Sequence, residues 1–250
     1  MNGSNEVNVT SSTSSNVVDD PNTRFSTPKY LGEWIFREDC QRFFEKYNKA
    51  NNYEGLNLGD YVKIFARDED HTYEWMVAGF DYYEESFGPG IIFIPRITIG
   101  NGTMNQIDST KRGYYASDMH VYLMDLINND YDVISENIVT DDEPLIMLMS
   151  DIQVYGETID DIGRSNELEE IYQTDVKFDK GILPIFKYIS PFKYSDLISD
   201  DQEYRYPSRW SFWLRAVASS AYFAYASYFG DTDAHGASDS YGLRPLIYLL

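Results

Sequence analysis

The sequence predicts an α+β fold in which a mixed or antiparallel sheet carries packed helices. Three observations predict it. Most apolar stretches are short runs bounded by Gly, Pro, Asp or Ser, the punctuation of strands. Two longer stretches instead repeat their apolar residues at helical spacing. The chain has 250 residues and is 43% hydrophobic, enough to bury a core in one large domain or two modest ones.

Residues 1–28 are rich in Ser, Thr and Asn and nearly free of aromatics. Alone they could not bury enough apolar area to offset their ordering entropy, so they read either as a disordered tail or as an extended N-terminal arm ordered by a partner. From Tyr30 to Asn51 the spacing of Trp34, Ile35, Cys40, Phe43, Phe44 and Tyr47 predicts a helix, which "NNYEG" breaks. "LGDYVKIFA", "YEWMVAGFD" and "GIIFIPRITI" read as strands, with Gly88, Pro89 and Gly90 between the second and third. "ASDMHVYLMDLINNDYDVI" reads as a helix capped by Ser117 or Asp118, burying Met119, Tyr122, Leu123, Leu126 and Ile127 and leaving His120 at the surface or boundary. "PLIMLMSDIQVYG" reads as a strand and turn, "SNELEEIYQ" as a short helix capped by Ser165, and "LPIFKYIS" as a short apolar element. The last forty residues read as strands joined by Gly/Asp/Ser turns.

Composition excludes several functions. A net charge of −21 repels a nucleic-acid backbone, and no basic patch with interleaved aromatics offsets it. The single cysteine, Cys40, rules out an internal disulfide and a Cys-based zinc site. No apolar run reaches transmembrane length, and the first 25 residues lack a signal-peptide core; synthesis in a cytoplasm is expected, with no membrane insertion. His71, His120 and His235 share no metal-ligand spacing, and HExxH, GxSxG, Walker A and helix-opening GxGxxG motifs are missing. "DTDAHG" at 231–236 resembles the start of an EF-hand loop, but its twelfth position is Gly242 and not a bidentate Glu. A looser calcium site from Asp231, Asp233 and Asp239 is the remaining metal option. The expectation is no enzyme activity, no cofactor and no metal.

The tract from Ser219 to Tyr241 is built mostly from Ala, Ser, Tyr, Phe, Gly and Asp between two apolar stretches. Tyr222, Tyr225 and Tyr228 are three apart and would suit a helix; the serines, the aromatic load and the Gly230–Asp231 turn favour paired strands. In a strand Phe223 and Tyr225 share one face, and Tyr222, Ala224 and Ala226 the other. Tyr offers large contact area at little entropic cost, and small neighbours leave it room, which suits a display surface; plain core strands are the other reading. The candidate surface comprises Tyr222, Tyr225, Tyr228, Asp231, Asp233, His235, Asp239 and Tyr241. Trp75, Trp210, Trp213, Arg215 and Arg244 are the candidate frame, each arginine needing a carboxylate or carbonyls if buried.

"SFWLRA" followed about thirty residues later by "YGLRPLIYL" resembles the close of a domain family of phage genomes and gut bacteria, whose members carry W-L-R, a Tyr/Ser/Ala/Gly tract, then G-[LV]-R-P and a final strand. "LGDYVKI", "WMVAGFD" and "STKRGYYASDMHVYL" match its earlier landmarks, with Lys111 and Arg112 where glycines are usual. The resemblance runs from Leu56 to Leu250. The ending is more distantly similar to C-type-lectin-like domains and the sulfatase-modifying fold, whose chemistry needs cysteines or copper ligands that one Cys40 does not supply. The resemblance implies a lectin-like α+β domain over 55–250, with the arm at 1–28 and a helical attachment module at 29–54 added to it. It implies a phage virion structural protein, such as a head fibre, capsid decoration or tail-associated component. Phage capsid or tail proteins would hold the arm, the chain would form a homo-oligomer such as a trimer, and the outward domain would meet a cell-surface glycan. The second expectation is a free carbohydrate- or glycoprotein-binding module of a gut bacterium.

Overall fold

The structure, a computed structural model, describes residues 19–47, 53–67, 72–135, 146–158, 165–189, 211–227 and 231–250. Two mixed sheets and short helices make it α+β. The first sheet has six strands: β1 (Tyr30–Trp34), β2 (Tyr61–Ile64), β3 (Tyr73–Phe80), β4 (Ile91–Pro95), β6 (Ile146–Leu148) and β11 (Pro245–Leu249), in the order β1-β2-β3-β4-β11-β6. Only β1 and β2 run parallel. The second sheet orders β5 (Asn101–Thr103), β10 (Ser240–Gly242), β7 (Phe212–Val217), β8 (Tyr222–Ala226) and β9 (Thr232–Gly236) as β5-β10-β7-β8-β9.

The burial patterns follow the sequence. β4 and β11 are apolar at almost every position and buried at all of them, as strands covered on both faces should be. The chain's closing apolar run is thus an interior strand, with Ile247 opposite Phe93 on one side and Ile146 on the other. β2 alternates half-buried and buried residues. Close approach constrains Gly90: an added Cβ would lie 2.5 Å from the Leu249 carbonyl oxygen and 2.7 Å from the Tyr248 ring.

Where helix was expected over 30–51, Tyr30–Trp34 is a strand and the helix α1 spans Arg37–Tyr47. Gly32, at φ +125°, sits in a conformation no helix contains, and pairing with β2 outweighs the apolar spacing that Trp34 suggested. α1 buries Cys40, Phe43 and Tyr47, and the Phe43 ring lies 5.0 Å from Trp34 and 5.9 Å from Phe93 of β4. The helical segment therefore shares one hydrophobic core with both sheets. Residues 19–28 also lie on this body: the Asn22 side chain donates to the Phe80 carbonyl and accepts from the Phe80 N–H, and Phe25 stacks on Tyr188.

The short α2 (Glu84–Phe87) precedes β4, and α3 (Asp118–Asn129) is capped by Ser117, whose hydroxyl accepts from the His120 N–H. Within α3, Tyr122 is exposed and His120 is buried, the reverse of expectation. At about 100° per residue, His120 and Tyr122 flank the Met119–Leu123–Leu126–Ile127 stripe at nearly equal angles, so helix geometry alone does not rank them; the His120 ring packs against Tyr114 and Tyr115, which cover that flank. Burial pushes the His120 imidazole down to about 4, so it is neutral. α4 (Asp132–Ser135) follows. After β6, the expected turn is a helix, α5 (Asp151–Tyr155), opened by a Ser150–Gln153 capping box that the sequence reading passed over. α6 (Asn166–Asp175) starts at Ser165, its N-cap. Among the described residues, no helix is long and apolar enough to cross a membrane.

Candidate functional site: an aromatic and acidic sheet face

A buried polar frame comes first, because it fixes the strands that carry the face. Arg215 on β7 is fully buried. Its guanidinium donates to the Asp175 carbonyl at 2.8 Å, the Leu148 carbonyl at 2.7 Å and Gln153 Oε1 at 2.8 Å, and forms an ion pair with Asp179, whose side chain is also fully buried. One side chain thus ties β7 of the second sheet to β6 of the first and to the end of α6. The Asp179 carboxylate also accepts from the Ser150 hydroxyl at 2.5 Å. Burial pushes the Asp179 carboxyl up, while Arg215 and Ser150 pull it back. Asp175 points its carboxylate at the Tyr114 N–H, 2.9 Å away; burial dominates this hydrogen bond and the nearby Arg215, and the group is pushed up to about 7.

Arg244, also buried, donates to the Pro95 carbonyl at 3.1 Å and lies 5.7 Å from the Phe212 ring centroid. It joins the end of β4 to the start of β7. Trp75 and Trp213 are fully buried, and the Trp213 indole donates to the Gly102 carbonyl at 2.8 Å, fixing β7 against β5. Trp210 lies outside the described residues.

On this frame, β8 and β9 pair with Phe223 opposite His235 and Tyr225 opposite Asp233. Strand alternation puts all four on one face and Tyr222, exposed, on the other. β10 brings Tyr241 onto the face beside Tyr225: the two rings stack with centroids 4.4 Å apart and an interplanar angle of 22°. His235 lies 5.3 Å from Tyr225 and 5.2 Å from Tyr241, and Trp213, opposite Tyr225 on β7, meets Tyr241 edge-on at 4.8 Å. Two carboxylates flank the rings. Asp233 accepts from the Tyr225 hydroxyl at 3.4 Å, and Asp239 sits 2.9 Å from His235 Nδ1. The His235 and Asp239 side chains are 45% and 51% exposed, so the pair faces solvent. Burial, then Asp233, pushes the Tyr225 phenol up to about 12; burial, then Asp239, raises Tyr241. Both phenols remain hydroxyls at neutral pH and can donate.

The structure brings together Tyr225, Asp233, His235, Asp239 and Tyr241. Asp231 is set apart, its carboxylate accepting from the Ser227 hydroxyl and its carbonyl from the Tyr155 hydroxyl at 3.1 Å. Tyr228 lies outside the described residues. Among the described residues, no group of three or more His, Cys, Asp and Glu side chains is arranged to hold a metal ion, so Asp231, Asp233 and Asp239 do not converge on the looser calcium site. The sequence reading missed Asp108. Its carboxylate accepts from the Ser238 N–H at 2.8 Å and hydroxyl at 2.7 Å and thereby fastens the β9–β10 turn; the Ser238 hydroxyl, then its N–H, holds that carboxyl low. It missed Asp175, Asp179 and Gln153 as well, since the demand for a partner to Arg215 does not say which of many acids supplies it.

Comparisons of the chain with protein-family models, curated proteins and solved structures return no match.

Proposed function

We propose that this chain is a non-catalytic contact protein, a phage virion structural component whose lectin-like body carries the β8–β9–β10 face outward toward a cell-surface glycan. The observation that supports this reading best is the face itself: a half-buried Tyr241 stacked on the buried Tyr225, with an exposed histidine beside it and exposed carboxylates at its flanks. Aromatic rings offer apolar contact to the C–H surface of a sugar, while phenols, carboxylates and imidazole exchange hydrogen bonds with its hydroxyls. A rigid frame lowers the entropy lost on contact, and the inter-sheet arginines provide one. The virion assignment leans on the resemblance of the W-L-R and G-L-R-P landmarks, and the particle-facing arm on the composition of residues 1–18, since residues 19–28 pack on the body.

Purified particles from a lysate, probed by immunogold electron microscopy with antibody to the chain, test the reading. Gold at a fixed position on the particles is expected. Recovery of the chain only outside particles would overturn the virion assignment in favour of a free glycan-binding module.

A further inference from the structure

The outer strand of a sheet offers unpaired N–H and C=O groups to another chain unless something covers them. Three of the four outer strands are guarded. On β6, the Leu148 N–H donates to the Tyr114 hydroxyl at 2.9 Å, and its carbonyl accepts from the Arg215 guanidinium at 2.7 Å. On β9, the Asp233 carboxylate folds back to accept from the Ala234 N–H at 2.8 Å, and the Asp108 carboxylate stands 2.7 Å from where a Cβ on Gly236 would lie. β5 has only three residues, too few to template much of a strand. β1 has no such cover among the described residues. The Lys29 and Trp34 carbonyls face β2, accepting from the Tyr61 N–H at 2.9 Å and the Phe65 N–H at 3.0 Å. Tyr30 and Glu33, with a bulge between them, therefore turn their own N–H and C=O groups to the open side. This border is also apolar. Phe25, Tyr30, Ile35 and Phe36 are four of the nine large hydrophobics exposed among the described residues, and they fall within twelve residues of chain.

Charge selects the occupant. Two copies at −21 each repel across most of their surface. Residues 24–47 hold five Lys or Arg against four Asp or Glu, so approach is least opposed there. Lys29 and Glu33, both exposed, stand on either side of Leu31. Set antiparallel to itself about that point, β1 brings each Lys29 beside the other copy's Glu33, so opposite charges meet twice. We propose that β1 pairs antiparallel with β1 of a second copy across a two-fold axis near Leu31, joining the two six-stranded sheets into one. The open backbone groups of Tyr30 and Glu33 in each copy then meet those of the other. Ile35 and Phe36 swing toward the other copy's Phe25 and Pro28, which withdraws the apolar border from water.

Analytical ultracentrifugation of the full chain across about 1–100 μM, the range in which a small interface dissociates, tests it. A reversible monomer–dimer equilibrium is expected. Each contact occurs twice across a two-fold axis, and Lys29→Glu or Glu33→Lys alone sets like charges opposite each other. Either should weaken the dimer by about tenfold or more. The double variant Lys29→Glu, Glu33→Lys restores opposite charges and should dimerise within about threefold of the unsubstituted chain. A side chain that merely supported the fold would not give that rescue. A chain that stays monomeric at the highest concentration overturns the proposal, and so does a trimer, because edge pairing about a two-fold axis closes at two copies. A dimer that the single reversals leave unchanged, or that the double variant does not recover, overturns it as well.

Discussion

Replacing Arg215 with Met removes the fully buried cation that ties β7 to β6 and to the end of α6. The Asp179 side chain is fully buried, so the variant strands a carboxylate away from water. Breaking a buried pair by deleting one partner costs about 3–5 kcal/mol. Two carbonyls and the Gln153 oxygen also lose a donor, at about 1 kcal/mol each where no other partner replaces it. Proton uptake by Asp179, whose carboxyl burial already raises, offsets part of this. The expected loss is about 4 kcal/mol near pH 7.5, against a total stability of roughly 5–15 kcal/mol. Equilibrium urea unfolding followed by tryptophan fluorescence measures it. The double variant Arg215→Met, Asp179→Leu should recover about half of the loss, since an apolar pair of similar volume replaces a buried ion pair at little cost. The reasoning fails if the single variant loses less than about 1 kcal/mol, or if the two substitutions simply add, because groups in contact should couple.

Asp175 should make stability depend on pH. Its folded carboxyl sits near 7 against an unfolded value near 3.8, so the folded state binds the proton more tightly, and stability falls as pH rises from about 4 to about 7, by at most about 4 kcal/mol. Asp175→Asn keeps an acceptor for the Tyr114 N–H and should flatten that slope; identical urea-midpoint profiles for the two proteins across this window would refute it. Gly90→Ala places a methyl on the Leu249 carbonyl and the Tyr248 ring, and a loss of about 1–3 kcal/mol by thermal unfolding is expected. Removing residues 1–18 leaves the Asn22–Phe80 pairing in place, and a folded chain missing from purified particles is the expected outcome; normal incorporation would remove the arm from the assembly account.

The sequence disclosed those parts of the fold that local pattern governs. β4, β11 and α3 carry apolar runs or stripes long enough to read, and Ser117 and Ser165 are caps with a mechanism. Tyr30–Trp34 misled because a strand paired in parallel with β2 is a tertiary fact, and only Gly32 hinted against helix. α5 was missed because five residues carry too little periodicity, although Ser150 and Gln153 spell its capping box. For the contact face, strand alternation was enough to separate Tyr222 from Tyr225. Bringing Tyr241 and Asp239 to Tyr225 required the β10–β7 pairing, and β10 is only three residues long. The Arg215 network was half legible: a buried arginine demands acceptors, yet Asp175 and Asp179 lie about forty residues away in sequence and look like any other acids of this chain.

Saturation binding of the fluorescently labelled full chain to host cells, before and after periodate oxidation of their surface carbohydrate, tests the contact claim most directly, with Tyr241→Ala alongside. Saturable binding that periodate abolishes and Tyr241→Ala weakens by about two- to tenfold is the result this account expects, since one stacked aromatic contact is worth about 0.5–1.5 kcal/mol beyond its buried area. Absence of binding, or binding that neither treatment alters, would contradict it.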